Sequence, residues 1–276
     1  MPTQLTPRGI AKPWGVPSLP PALAGHAAGE RTGEIWFEGD AAAPLLVKWL
    51  FTSERLSVQV HPDDAGARAI GLPHGKDEAW YVVAAAPGAT IGIGIGGAPG
   101  REAVAAAARD GSIVDMMEWR EVAAGDVLYV PGGTIHALGG GLQLVEIQQA
   151  LDLTWRLYDY GRPRELHLAE GLAAARLAPF GANAPRRAID PRRTARCEGG
   201  KFVIEELAGA WAGQIAGARG SVWLVALTDD GQLGDTAVAA GSVWRIDADT
   251  PASLAADARW LLAYAAPAAD PARLAA

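Results

Sequence analysis

The sequence predicts an all-β protein with minor helices, built as barrels or sandwiches. Three observations carry that expectation. Glycine and proline, 34 and 19 of them, punctuate the whole chain. The apolar runs between them are short and rich in Val, Ile, Leu and Trp. One of those runs, residues 56–61, alternates with the period of a strand. Short strands between regular turn signals are the pattern of all-β folds.

Taken in chain order, strands are expected at 45–50, 56–61, 80–84, 126–130 and 142–148, then at 201–206, 221–226, 241–246 and 259–263. Two helices interrupt them. Residues 101–110 are alanine-rich and meet a stop at Gly111. Residues 165–176 carry Leu166, Leu168, Leu172 and Ala175 at roughly helical spacing. The loose stretch 179–196, with Pro179, Pro185 and Pro191, reads as a linker between two β units. A short repeat, GDVLYVP from Gly125 and GSVWRID from Gly241, agrees with two units.

Length, charge and cysteine bound the rest. The 276 residues suffice for one large domain or two small ones. The net charge is −7 and no basic block appears, which argues against nucleic acid as a partner. Cys197 is the only cysteine, so an internal disulfide and a thiolate metal cluster are excluded. No stretch has the continuous apolar core of a signal peptide or a membrane span, so a cytoplasmic protein without a membrane partner is expected.

Three short pieces hold the chemistry. In Leu56-Ser-Val-Gln-Val-His61, strand alternation puts Leu56, Val58 and Val60 on one face and Ser57, Gln59 and His61 on the other. A glutamine and a histidine two residues apart then reach one point inside a barrel. In Gly75-Lys-Asp-Glu-Ala-Trp80, Glu78 stands at a strand entrance, where a carboxylate can turn inward. From Gly125, the pattern G-x5-P-x-G-x2-H runs through Pro131 and Gly133 to His136. Pro131 ends ladder pairing, the glycines allow a tight turn, and His136 opens the next strand. Gln59, His61, Glu78 and His136 make a nitrogen and oxygen donor set that suits Zn²⁺ with a position left open. Nickel, cobalt, manganese and iron accept the same donor types.

The G-x5-P-x-G-x2-H pattern resembles the second motif of the cupin superfamily. The wider set of blocks is similar to type I phosphomannose isomerases in their short bacterial form. The blocks are Lys12-Pro-Trp-Gly15, Gly33-Glu-Ile-Trp36, Leu56 to Asp64, Lys76 to Tyr81, Pro131 to His136 and Leu153 to Arg162. The resemblance implies a jelly-roll barrel with a metal-binding first barrel and a degenerate second. It places a catalytic cupin domain at 1–162, a helical segment and linker at 163–196, and a degenerate cupin-like domain at 197–276. Gln59, His61, Glu78 and His136 would bind one Zn²⁺ per chain, and Arg156 would be the catalytic arginine.

The usual cupin pattern has H-x-H with a glutamate a few residues on. Here Gln59 stands for the first histidine and Glu78 comes seventeen residues after His61, which fits the isomerases and disfavours cupin oxygenases. The implied reaction interconverts mannose 6-phosphate and fructose 6-phosphate through an enediol or enediolate. A small-molecule sugar phosphate is the expected partner. Lys76 is a candidate proton carrier or phosphate anchor; for the base, Lys76, Glu146 and a metal-held hydroxide stay open. The alternative is a metal-containing cupin that senses a sugar phosphate without turning it over.

Several residues have a plainer reading beside the functional one. Gly92-Ile-Gly-Ile-Gly-Gly97 contains G-x-G-x-x-G, but Pro99 and the β context argue against a dinucleotide fold. His26, His74 and His167 are expected at the surface and Arg162 in a structural role. Trp14, Trp80 and Trp155 are candidate walls of a sugar site.

Overall fold

The computed structural model describes every residue except Met1, Ala41, residues 183–185, Gly199 and Ala276. Among the described residues the strands form four sheets. A six-stranded sheet runs in the order Pro7–Val16, Thr32–Phe37, Leu45–Thr52, Leu142–Gln149, Glu78–Ala85 and Val127–Val130. Facing it across a barrel is a five-stranded sheet of Trp155–Tyr158, Val58–Val60, His136–Leu138, Thr90–Ile95 and Met117–Glu121. The later residues form a seven-stranded sheet, centred on Val222–Ala226 and Arg259–Tyr264, and a second five-stranded sheet. No helix is long and apolar enough to cross a membrane.

Both faces of the central strands of the six-stranded sheet are buried, and the strand period sorts them. Along Leu45–Thr52, Leu45, Val47, Trp49 and Phe51 join Trp223, Val225 and Leu261 of the seven-stranded sheet in one core. The intervening Lys48 and Leu50 turn into the first barrel and line its pocket. The same parity sends Ala79 and Tyr81 outward to that core and Trp80 inward. Burying each large apolar side chain is worth roughly 1.5–3 kcal/mol, so this shared core ties the two sheets together strongly.

The first barrel's other sheet is backed by helices. Val58, Val60, Trp155 and Leu157 pack on Val104, Ala108 and Leu172. Helix Arg101–Asp110 has its expected bounds and ends at Gly111 in the left-handed region, φ 89°. The second helix is shorter than expected, Leu168–Ala174. Gly171 permits its close approach, since a Cβ there would lie 2.7 Å from Leu157 Cδ2.

The glycine-rich segment around residues 92–97 is a strand, Thr90–Ile95, as the β context required. Part of the stretch expected to be loose is ordered into sheet: Arg187–Ala188 and Arg193–Cys197 pair with each other. Pro185, one of its three prolines, lies outside the described residues.

Candidate metal centre

Glu78 is the first residue of Glu78–Ala85, and His136 the first of His136–Leu138. Gln59 sits mid-strand and pairs directly with His136 on one side and Arg156 on the other. His61 follows the end of Val58–Val60. Two strand entrances and one strand exit therefore aim three donors at one place. His61, Glu78 and His136 are all buried, and their ligand atoms lie within 4.8 Å of one another.

The protonation pattern suits a cation. His61 Nδ1 donates to the Leu153 carbonyl at 2.8 Å, and His136 Nδ1 to the Thr134 carbonyl at 2.9 Å. Each neutral ring then offers its Nε2 lone pair. Burial pushes both imidazoles below their usual pKa, His136 to about 4, so both are neutral at pH 7. For Glu78, burial alone would raise the carboxyl, but Lys76, His61 and His136 outweigh it and hold it well below the usual range.

Acceptors therefore face acceptors. His61 Nε2 lies 3.3 Å from Glu78 Oε2, and His136 Nε2 lies 3.2 Å from Glu78 Oε1. Both carboxylate oxygens are buried without a hydrogen bond of ordinary geometry. Lys76 Nζ is the nearest cation, 3.0 Å from Glu78 Oε2 and 3.1 Å from His61 Nε2, while His136 Nε2 has the Gln59 amide as its neutral donor. Tetrahedral zinc with bonds of about 2.0 Å has donor–donor edges of about 3.3 Å, the spacing of the two histidine–glutamate pairs here. The residues fit a divalent metal. Gln59 completes the rim: its Nε2 is 3.2 Å from His136 Nε2, while its Oε1 accepts from Ser57 at 3.1 Å.

The cluster opens on a cavity of about 360 Å³. One wall is a ladder of inward residues on the six-stranded sheet. Lys48 Nζ binds Glu146 Oε1 at 3.1 Å and Gln148 Oε1 at 2.6 Å, and it lies 4.3 Å over the Trp36 ring. Trp80 Nε1 donates to Glu146 Oε2 at 3.1 Å. Lys12 pairs with Glu34 at 3.2 Å, and Trp36 Nε1 donates to the same carboxylate at 2.6 Å. Each lysine on this wall has its own glutamate. Burial would lower Lys48, yet Glu146 and Glu34 outweigh it and raise it.

The opposite wall is different. Arg156 forms no ion pair among the described residues; its Nη1 donates to the Glu165 carbonyl at 3.3 Å, and its buried Nε has no partner. Burial, then Arg164, pulls its pKa below the usual guanidinium value, but it stays a cation at neutral pH. Arg164 also lines the cavity, and Asp159 grips it at 2.5 and 2.7 Å. Asp159 also binds Arg162, so this carboxylate is shared by two other arginines and forms no ion pair with Arg156.

Of the expected site residues, the fold brings Gln59, His61, Lys76, Glu78, His136 and Arg156 together. Trp14 and Trp80 line the cavity, but Trp155 does not: it packs in the helix-backed core, because Arg156 takes the inward position of their strand. Leu56 also departs, facing the cavity with Ser57 and Gln59 instead of sharing a core with Val58 and Val60. His167 is half-buried and lines the cavity, where surface exposure was expected. Arg162 is structural, bonded to Asp159, Glu54 and the Arg55 carbonyl. Glu34, Trp36, Arg164 and His167 had not been singled out for the site.

Fold and site together define a cupin-like all-β protein with a candidate metal centre inside its first barrel. The relatives carry more particular names. The chain is 41% identical over 135 residues to mannose-6-phosphate isomerase of Streptococcus mutans, which covers 47% of this chain and 42% of the relative. It is 39% identical over 142 residues to mannose-6-phosphate isomerase of Bacillus subtilis, covering 49% and 44%. The chain thus spans under half the length of these curated relatives. Among solved structures, mannose 6-phosphate isomerase of B. subtilis superposes with a TM-score of 0.83 at 24% identity, over 95% of this chain and 99% of that one. A phosphomannose isomerase variant of Salmonella typhimurium gives 0.74 at 14% identity, over 96% and 99%. No protein-family model matches the sequence.

Proposed function

We propose that the chain is a metal-dependent aldose–ketose isomerase that interconverts mannose 6-phosphate and fructose 6-phosphate. The observation that carries this reading is the buried His61, Glu78 and His136 cluster opening on a cavity whose far wall holds the unpaired Arg156. The relatives' names supply the sugar phosphate. In this reading Gln59, His61, Glu78 and His136 hold one Zn²⁺, and 1–162 is the catalytic domain. Residues 163–196 are the helical segment and linker, and 197–276 a degenerate cupin-like domain. A reaction on a free phosphorylated sugar fits a cytoplasmic protein.

Aldose–ketose isomerisation moves a proton between C1 and C2 of the open-chain sugar, and the barrier is the acidity of a carbon beside a carbonyl. Bound Zn²⁺ supplies Lewis-acid polarisation of the sugar oxygen. The protein does the rest. Lys76 is the proton carrier: its amine lines the cavity at the edge of the cluster. Glu146 suits that task less, because Lys48 and Trp80 take both its oxygens. Arg156 holds fixed positive charge where the sugar oxygen becomes negative. Arg164 adds a second cation on that wall, and the pair forms the end of the cavity that suits an anionic group.

A coupled assay with mannose 6-phosphate tests the reading. Turnover is expected, abolished by chelator and restored by Zn²⁺. Run in deuterated water, the reaction should place deuterium on C1 of fructose 6-phosphate, because an abstracted proton exchanges before its return. Substantial turnover without deuterium would favour a hydride shift. Metal and substrate binding with no turnover would leave a sensor.

A further inference from the structure

One buried carboxylate beside the cluster has no part in the chemistry above. Asp77 lies between Lys76 and Glu78 and is 7% exposed. Its Oδ1 accepts from the Gly132 N–H at 2.9 Å, and its Oδ2 from the Tyr129 hydroxyl at 2.5 Å. Gly132 belongs to the turn that leads into His136. Asp77 therefore fastens the segment carrying one cluster residue to the segment carrying another.

The chain of contacts continues into the later residues. The Tyr129 oxygen accepts from the Lys201 N–H at 2.8 Å. Gly200 sits so close to the Tyr129 ring that a Cβ there would lie 2.1 Å from Cζ. The ring of fully buried Phe202 is 5.3 Å from that of Tyr129. Lys201 Nζ binds Asp64 Oδ2 at 2.6 Å, and Asp64 Oδ1 accepts from the Gly75 N–H at 2.9 Å. Two backbone bonds close the frame, Gly133 N–H to the His61 carbonyl at 2.7 Å and Lys76 N–H to the Pro62 carbonyl at 2.9 Å. Residues 200–202 thus hold all three cluster-bearing segments.

We propose that Asp77 and Tyr129 are positioning residues through which residues 200–202 set the spacing of the metal ligands, an inference that rests on His61, Glu78 and His136 holding a metal. The physical reason is that the three donors sit on separate segments. Partners behind the donors fix their distances, and losing such partners costs 10–100-fold in metal affinity or activity. The Tyr129 hydroxyl is the joint, because it donates to Asp77 and accepts from Lys201. Phenylalanine there keeps the ring against Gly200 and Phe202 but removes the hydroxyl that joins Asp77 Oδ2 to the Lys201 N–H. The later half of the chain, which contributes no residue to the cluster, gains a role as its brace.

The test uses the full chain with Co²⁺ as probe, reading affinity by chelator competition and ligand geometry by visible absorption. Tyr129→Phe and Asp77→Asn are expected to weaken Co²⁺ binding about 10-fold or more and to alter the absorption bands. Tyr264→Phe is the control. It removes a buried hydroxyl bonded to Glu205 and the Asp270 N–H, on a side chain packed in the core of the later sheets and bonded to none of the residues that link 200–202 to the cluster. It should lower Tm while leaving affinity and spectrum unchanged. If Asp77→Asn fails to fold, Tyr129→Phe decides alone. A Tyr129→Phe protein with wild-type affinity and spectrum, and only a lowered Tm, would overturn the inference. Failure of the wild-type chain to bind Co²⁺ would sink the metal reading and this inference with it.

Discussion

At Arg156 the strand Trp155–Tyr158 spends its one inward position on a charge. A cation without a carboxylate is costly to desolvate, and that cost is offset where an anion arrives. Lysine at this position keeps the charge but loses the planar fork that can grip two oxygens. Arg156→Lys should therefore lower kcat by about 10²-fold or more, the scale of a lost oxyanion donor, with metal content unchanged. Steady-state kinetics and elemental analysis check it, and near-normal kcat would remove Arg156 from the chemistry. The cluster residues were legible because each sits on a strand or turn with a local signature: alternation for Gln59 and His61, the proline–glycine turn for His136. Arg164 and His167 carry no such mark. They reach the cavity from a loop held by Asp159, a contact that exists only in the folded chain.

The turn before His136 shows how an element places a residue. Gly132 has no room for a side chain: a Cβ would lie 2.5 Å from the Pro62 oxygen and 2.7 Å from Asp63 Cα. These are backbone atoms and cannot swing aside. Gly132→Ala should destabilise the fold by about 1–3 kcal/mol, as overpacking does, and weaken metal binding as the turn shifts. Denaturant titration and chelator competition measure the two effects. Nearby, the helix Asp64–Ala69 is tied to Lys201 by an ion pair. Lys201 and the Gly75 N–H hold Asp64 at a pKa of about 2, below the ordinary 3.8. Because the folded value is depressed, this contribution is complete above about pH 4 and is lost as pH falls towards 2. Asp64→Asn should flatten the fall in stability across that window in acid titrations. Element boundaries were legible where local chemistry ends a run, as at Gly111. The strand Pro7–Val16 was not, because its prolines hide it; it is the edge of its sheet, where a missing N–H is tolerated. The second helix begins only at Leu168, and Glu165 and His167, ahead of it, line the cavity.

Over the whole molecule the short repeat seen in the sequence has a structural counterpart. Gly125 and Gly241 both take positive φ, 90° and 81°. Their N–H groups bond the Val82 and Ala226 carbonyls before the strands Val127–Val130 and Val243–Ile246. The second copy lacks the P-x-G-x2-H continuation, so a loaded chain should carry one metal; elemental analysis finding two tightly held ions would contradict this. The halves are also laced together by a pairing no local pattern announces. Thr3 pairs with Arg245 and Gln4 with Trp244, and Leu5 N–H bonds the Val243 carbonyl within the shared core. Synthesis runs from the N-terminal side, so Thr3–Gln4 emerges long before its partner strand exists. The seven-stranded sheet is complete only once Tyr264 has left the ribosome, and until then a nascent first barrel keeps Leu5 without its final packing.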